Sequence, residues 1–349
     1  LEQLMLEKLR ARVKAKERAR TDYSRYRTDP LAYAAEVLQV RLWAKQQEVV
    51  LSVRDNRRTM VKSAYGVGKT HVAGGLVDWF FDSFPASVVV TTAPTVGQIK
   101  DNLWKEIRAQ RRTRPAADIL QIRDPDNADH FAISRSPKVD IEADAFGAIA
   151  FQGLHAENLL VVMDEAPGVR EAVWTAVTGI AVGANNRVLA IGNPIGYGPF
   201  FDEARKGKWH VITITALEHP NIAAGLAGEP DPYPGAVSLE WLEERLADAY
   251  WVDKLTEQQD GAFEFPPASG QWYMPGPMAE SRILGEFPTT ATNSVWSLTY
   301  LERARVRNLE WQEGDPIEIG VDTARFGDDA TAAHSRRGPV SLAHQSWRK

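Results

Sequence analysis

The residues whose types and spacing point to chemistry lie at three places along the chain. In the first, Gly66-Val67-Gly68-Lys69-Thr70 follows the apolar run Thr59-Met60-Val61-Lys62-Ser63 and opens a helical run, His71 to Phe81. Strand, glycine-containing turn and Gly-Lys-Thr at a helix start form the context a phosphate-binding loop requires. Successive backbone N–H groups wrap the phosphates, and the helix N-terminus turns its dipole toward them. Lys69 is then expected to reach the β- and γ-phosphates and Thr70 to hold Mg²⁺, with Ser63, Gly66 and Gly68 in the loop around an ATP. Ser63 stands where the pattern G-x-x-x-x-G-K-[ST] has its first glycine. A plain strand–turn–helix connection with an accidental Gly-Lys-Thr is the competing reading of this stretch alone.

The second place is Leu159-Leu160-Val161-Val162-Met163-Asp164-Glu165, an apolar run that delivers two carboxylates to its end. An α/β sheet binds ligands at the carboxyl edge of its strands. Asp164 is expected to hold Mg²⁺, and Glu165 to orient and deprotonate an attacking water. A solvated acidic turn is the bland alternative. The third place is Ala190-Ile191-Gly192-Asn193-Pro194, which puts a polar side chain at the same edge. Asn193 is either a reporter of the γ-phosphate or one member of a turn-forming Gly-Asn-Pro.

Other residues carry less. Gln46 and Gln47 precede the first strand; a glutamine amide can pair with adenine's edge, or simply face solvent on a helix. Thr91 to Thr95, with Gln98, forms a polar segment at the same sheet edge, suited to touching DNA or coupling to it. The seven histidines show no metal-ligand spacing, and His155, the one near the expected site, reads as a loop residue. Trp104, Trp174 and Trp241 fall on helical patterns and read as core. Asp322 ends the β-patterned Ile317–Val321 and precedes Gly327-Asp328-Asp329, which is either the opening of a two-metal nuclease site or a hairpin turn.

These residues need a scaffold. Strands at 58–63, 87–92, 158–164, 187–193 and 210–215 alternate with helices, which predicts an α/β fold with a mostly parallel central sheet. Helices are expected at 1–20, 30–38, 42–51, 98–112 and 238–250, the last with Ser238 as N-cap, and a hairpin at 140–151. The expected organisation is a basic helical arm (1–30), a nucleotide-binding core (31–215), a smaller proline-interrupted subdomain (216–312) and the start of a further domain (313–349). The chain opens on Leu1 rather than Met and stops at Lys349, which reads as a trimmed form of a longer protein.

The 349 residues carry a net charge of −5 and no cysteine. The absence of cysteine excludes disulfides and thiolate metal sites and fits a reducing compartment, and no apolar run reaches membrane-spanning length. The basic residues cluster, in the first thirty positions and at Lys105, Arg108, Arg111, Arg112 and Arg114. Each cluster suits a solvated helix face or a nucleic-acid phosphate surface.

Taken as an ordered set, the motifs resemble the large terminase subunit of tailed bacteriophages, an ATP-driven DNA-packaging motor. The resemblance runs through Val61 to Thr70, Thr92-Ala93-Pro94-Thr95 with Gln98, Phe151 to Ala156, Val161 to Val169, Gly192-Asn193-Pro194, Arg282 to Pro288 and Gly320 to Asp329. It implies an ASCE-type P-loop ATPase with a lid or linker subdomain at 216–312 and the opening strands of an RNase H-like nuclease domain. It implies Gln46 as the adenine-contacting glutamine, Asn193 as the coupling residue and Asp322 as the first nuclease metal ligand, and it accounts for Ser63, since such proteins often lack the first loop glycine. The implied activity is ATP-driven translocation of double-stranded DNA into a procapsid, with cutting of concatemeric DNA by the longer protein. The implied partners are DNA, the portal, a small terminase subunit and further copies of the chain in a ring, in the host cytoplasm and transiently at the portal vertex. In many of these proteins an arginine stands where this chain has Ala64 and Tyr65. Lys62, Arg135, the 108–114 cluster or an arginine from a neighbouring subunit is therefore expected to meet the developing phosphate charge. Two other readings suit the same motifs: a helicase-like DNA-dependent ATPase, and an assembly subunit that binds ATP without turnover.

Overall fold

The computed structural model describes residues 22–111, 118–135, 154, 156–289, 304, 307, 309–323 and 330–347. The expected arm before residue 22, the hairpin at 140–151, His155, Arg112, Arg114, Asp328 and Asp329 lie outside the described residues. The chain divides into two compact units, Leu1–Ala291 and Thr292–Lys349.

The first unit is built on a seven-stranded sheet: β1 (Arg58–Ser63), β2 (Ser87–Thr92), β3 (Gln121–Arg123), β4 (Phe131–Ser134), β5 (Asn158–Met163), β6 (Asn185–Gly192) and β7 (His210–Ile214). The order is β3-β4-β2-β5-β6-β1-β7. All neighbours run parallel except β3 with β4. The parallel strands are buried on both faces, so they read as continuous apolar runs rather than alternating ones. In β5, Leu160 and Val162 point to one core, and Leu159, Val161 and Met163 to the other. On the first face lie α1 (Ala44–Asp55), α2 (Lys69–Ser83) and α3 (Trp104–Gln110); on the second lie α4 (Glu171–Ile180) and α5 (Pro199–Arg205). The strand that feeds the glycine loop, β1, is separated by one strand, β6, from the strand that ends in Asp164. This places the three motif-bearing strand ends side by side at one sheet edge.

Two short helices follow, α6 (Pro220–Leu226) and α7 (Leu239–Leu246), with a small antiparallel sheet of β8 (Val252–Leu255), β9 (Phe263–Glu264) and β10 (Trp272–Pro275). Ser238 caps α7 through its hydroxyl, which accepts from the Trp241 N–H at 3.2 Å. The helix stops at Leu246 rather than at 250, and β8 to β10 have no clear periodic signal in the sequence because they run only two to four residues. The expected 30–38 helix forms only in part: Pro30–Ala32 continues as a wider π turn, Tyr33–Leu38, closed by Gln39 at φ +57°. The second unit is an antiparallel meander of β11 (Ile317–Asp322), β12 (Thr331–Arg337) and β13 (Val340–Trp347).

Trp104 and Trp174 are core residues as expected, and Trp241 packs partly buried against the core. The 108–114 cluster is a different matter. Arg111 is 3 % exposed and makes ion pairs with Asp78 at 2.7 Å and Asp82 at 3.2 Å on α2. It ties α3 to α2 inside the first unit instead of facing solvent or nucleic acid. Arg108 donates to the Ile119 carbonyl at 2.7 Å. Removing one member of a buried ion pair leaves its partner's charge uncompensated, at a cost of about 3–5 kcal/mol. Arg111→Met is therefore expected to lower the unfolding free energy by that order in denaturant titrations. A loss under about 1 kcal/mol would show that Asp78 finds compensation elsewhere.

Candidate functional site

The loop between β1 and α2 is held from several directions. Ala64 N–H donates to the Ile214 carbonyl at 2.8 Å, and Tyr65 N–H to the Arg282 carbonyl at 3.0 Å. The Gly66 carbonyl accepts from Val237 N–H at 2.9 Å, and the Val67 carbonyl from Trp43 Nε1 at 3.3 Å. Gly66 and Gly68 take φ of +68° and +80°. Gly68 is also the point of closest approach to α1: a Cβ there would collide with the Gln46 amide. The first intrahelical bond of α2 runs from Val72 N–H to the Gly68 carbonyl. The amides of Gly68, Lys69, Thr70 and His71 therefore have no partner within the helix, and they form the positive end that attracts an anion.

The side chains converge on the same edge. Lys69 Nζ donates to Asn193 Oδ1 at 2.9 Å and lies 3.7 Å from Glu165 Oε1. Asn193 Nδ2 donates to the Ser63 carbonyl at 2.6 Å. The register explains the meeting: β6 pairs β1 with Gly192 opposite Lys62, so the next residues, Asn193 and Ser63, stand side by side at the strand ends. The Ser63 hydroxyl is buried and unpartnered among the described residues. Thr70 is half-buried in the first turn of α2.

Asp164 and Glu165 sit beside this group in a strained turn. Glu165 takes φ +48°, ψ +45°, a left-handed conformation that costs a non-glycine residue about 1–2 kcal/mol. The turn is closed by Gly168 N–H on the Glu165 carbonyl at 3.0 Å and by Glu165 N–H on Asp164 Oδ1 at 3.1 Å. Gly192 lets it pack: a Cβ there would run into the Pro167 ring. Asp164 is 1 % exposed, and burial together with the neighbouring Glu165 charge pushes its carboxyl up to about 6, against the partial relief of Lys69. A buried carboxylate that resists ionisation and a threonine hydroxyl are hard oxygen donors, and they fit a Mg²⁺ that also holds phosphate oxygens. Among the described residues, no group of three or more His, Cys, Asp or Glu side chains could hold a metal ion.

Gln46 is brought to the loop, but its amide is engaged there: Oε1 accepts from Trp43 N–H at 3.3 Å and Nε2 donates to the Gly68 carbonyl at 3.2 Å. Thr91 and Thr95 are likewise used internally. Thr91 and Thr92 are buried, Thr91 Oγ1 accepts from Trp104 Nε1, and Thr95 caps the helix start at Val96. Lys62 is ion-paired with Glu286 and lies over the Phe287 ring, on the far side of β1's alternation from buried Val61 and Ser63. Arg135 is exposed at the end of β4. Asp322, in the second unit, is exposed and pairs in register with Ala332.

The grip of Val237, Ile214 and Arg282 on the loop had no counterpart in the sequence reading. Nor did His219, whose ring packs edge-on against Trp43 and Tyr233 and which burial pushes down to about 4, so that it is neutral at pH 7. The one available signal was the run Arg282 to Phe287, quoted for its resemblance without a role.

The chain is 24 % identical over 312 residues to a probable terminase, large subunit, of Enterobacteria phage P7. The match covers 86 % of this chain and 56 % of that relative, so the chain spans little more than half the relative's length. Among solved structures it is similar to the large terminase of a thermophilic bacteriophage, with 13 % identity, a TM-score of 0.45, and coverage of 86 % of this chain and 66 % of that one. It is also similar to the large terminase ATPase domain of Thermus phage P74-26, with 16 % identity, a TM-score of 0.39, and coverage of 60 % and 94 %. No protein-family model matches. The resemblance to phage large terminases read from the motifs is thus also a resemblance over most of the chain.

Asp164 gives a test of the site's electrostatics. Its folded pKa of about 6 lies above the ordinary aspartate value of 3.8, so the folded state holds the proton more tightly between those two values. Stability contributed by the neutral form is lost as pH rises through that window, by about 3 kcal/mol for a shift of this size. Asp164→Asn is expected to raise the thermal midpoint of the nucleotide-free protein at pH 8, with the difference shrinking toward pH 4. A lower midpoint for the variant at pH 8 would contradict this account.

Proposed function

We propose that the chain is the ATP-hydrolysing region of a viral DNA-packaging motor. The observation that carries the reading is the convergence of Lys69, Glu165 and Asn193, from three separate strand ends, around a helix N-terminus at the carboxyl edge of a parallel sheet. The likeness to a probable large terminase subunit supports the substrate class.

In this reading the amides from Gly66 to Thr70 and the Lys69 ammonium bind the phosphates. Thr70 and Asp164 hold Mg²⁺, which supplies charge neutralisation of the phosphate oxygens when bound. Glu165, half-exposed at the turn, orients a water toward the γ-phosphorus and accepts its proton. Asn193 holds Lys69 in place before nucleotide arrives and is released toward the phosphate when Lys69 turns to it. That exchange links the phosphate to the Ser63 carbonyl, and so to β1 and the loop. Gln46 braces the loop and reaches adenine's edge only by giving up its contact with Gly68.

The remaining parts of the reading follow from the same likeness. Residues 31–215 act as the ATPase core, 216–312 as a lid or linker and 313–349 as the opening of an RNase H-like nuclease domain, in which Asp322 supplies the first metal ligand. Duplex DNA is translocated through a ring of copies docked at the portal, with a small terminase subunit as a further partner, in the host cytoplasm. No helix among the described residues is long and apolar enough to cross a membrane.

Glu165→Gln keeps the size and geometry of the side chain but removes its basicity. Nucleotide affinity is expected to stay within about threefold while hydrolysis falls by at least about 100-fold, the range for loss of general-base action. Parental turnover in this variant would remove Glu165 from the role. Duplex binding by the chain is expected to be sequence-independent and to weaken linearly in log affinity against log salt, as phosphate contacts require. Salt-independent or strongly sequence-selective binding would contradict the packaging reading.

A further inference from the structure

A hydrolytic phosphate site needs a second cation for the charge that develops on the γ-phosphate. Of the cations expected from sequence that lie among the described residues, three are committed elsewhere. Lys62 is ion-paired with Glu286. Arg111 is locked between Asp78 and Asp82 in the body of α2. Arg108 holds the Ile119 carbonyl. Arg135 is exposed at the end of β4, with β2 and β5 between it and β6.

Arg282 is different. It lies in the π turn Glu280–Leu284, whose backbone is bonded to the phosphate loop through Tyr65 N–H. Its guanidinium carbon is 4.8 Å from the centroid of the Tyr65 ring, and Lys69 Nζ is 5.9 Å from the same centroid. Tyr65 therefore carries two cations: the loop lysine, and a guanidinium delivered from 217 positions later in the chain. Arg282 forms no ion pair among the described residues, and its Nε is buried without a hydrogen-bond partner. A buried N–H left without an acceptor is costly, and a guanidinium without a carboxylate is a ready-made anion ligand. On its other side the stem and head approach Trp251, 6.0 Å from that ring's centroid, which limits where the head can turn.

We propose that Arg282 is a catalytic residue of this site, which binds the terminal phosphate in cis from its seat on Tyr65. It takes the place of the arginine that the loop itself lacks at Ala64 and Tyr65. Tyr65 is its platform: the ring holds the guanidinium by cation–π attraction until the phosphate supplies oxygens for its N–H groups. Because the Arg282 carbonyl also anchors the Tyr65 amide, movement of the head toward phosphate pulls directly on the segment 276–289. The inference rests on the reading of the loop as a nucleotide site.

The test uses the full chain and three variants. Arg282→Met keeps an apolar stem against Tyr65 and Trp251, Arg282→Lys keeps the charge, and Arg282→Ala opens space for added guanidinium. ADP, ATP and ADP with aluminium fluoride are the probes, with Mg²⁺ present. For Arg282→Met we expect ADP affinity within about threefold of the parent, loss of trapping by ADP–aluminium fluoride, and hydrolysis down by at least about 100-fold. Arg282→Lys should recover part of the trapping, and guanidinium should raise hydrolysis by Arg282→Ala severalfold, which a packing role would not produce. Parental trapping and turnover in folded Arg282→Met would overturn the proposal. If Arg282→Ala alone fails to fold, Arg282→Met and Arg282→Lys decide. If the parent chain binds none of the probes, the nucleotide reading fails and not the choice of arginine.

Discussion

The structure depends on one side-chain amide. Asn193 joins the Lys69 ammonium to the Ser63 carbonyl, and in doing so it fixes the end of β6 to the end of β1 across the point where a phosphate would enter. A charge-assisted hydrogen bond to a buried acceptor is among the stronger polar contacts available to a protein, and its loss leaves a half-buried cation beside a buried amide. Any anion that draws Lys69 away must break this contact and leave Asn193 to find another partner. A single residue is thus placed to register occupancy of the loop and to pass it to the β-strand on which the loop is mounted.

Around that amide the charges are arranged in opposition. Lys69 stands 3.7 Å from Glu165, while Asp164, one residue before, is buried where ionisation is disfavoured. Two adjacent acids face one lysine here, and a divalent cation held by Thr70 and Asp164 would offset the acids' charge. The left-handed backbone at Glu165 belongs to the same economy: the turn that separates the two carboxylates is strained, and it is held by the packing of Pro167 on Gly192 and of Pro94 on Gly168. The loop is likewise shaped from outside, by carbonyls and amides of residues 214, 237 and 282. This makes the geometry of the phosphate loop a property of the region between 214 and 286 as much as of the loop's own glycines.

Much of this was legible from the chain. β1, β5 and β6 are largely buried parallel strands, so each appears as a mostly apolar run ending in a polar residue, and the Gly-Lys-Thr that opens α2 is local. Parallel alignment then brings Lys69, Glu165 and Asn193 together without further information. What was not legible depends on contacts between residues far apart in sequence. Arg111 looks like part of a basic surface run until Asp78 and Asp82 are seen beside it on α2. Thr91 and Thr95 look like part of an exposed polar loop, yet their hydroxyls meet Trp104, the Ile133 carbonyl and the Gln98 amide. Gln46 reads as an amide facing adenine or solvent, and its hydrogen bonds go to Trp43 N–H and the Gly68 carbonyl. In each case polarity was visible and the internal partner was not.

The central claim is that the edge formed by Lys69, Asn193, Asp164 and Glu165 is a nucleotide-phosphate site. Isothermal titration of the full chain with a non-hydrolysable ATP analogue and Mg²⁺, compared with Lys69→Ala, tests it most directly. The account predicts saturable one-site binding by the parent and an affinity lower by at least about 100-fold in the variant, the equivalent of losing a charge-assisted contact to phosphate. Binding of equal strength in both, or by neither, would contradict it.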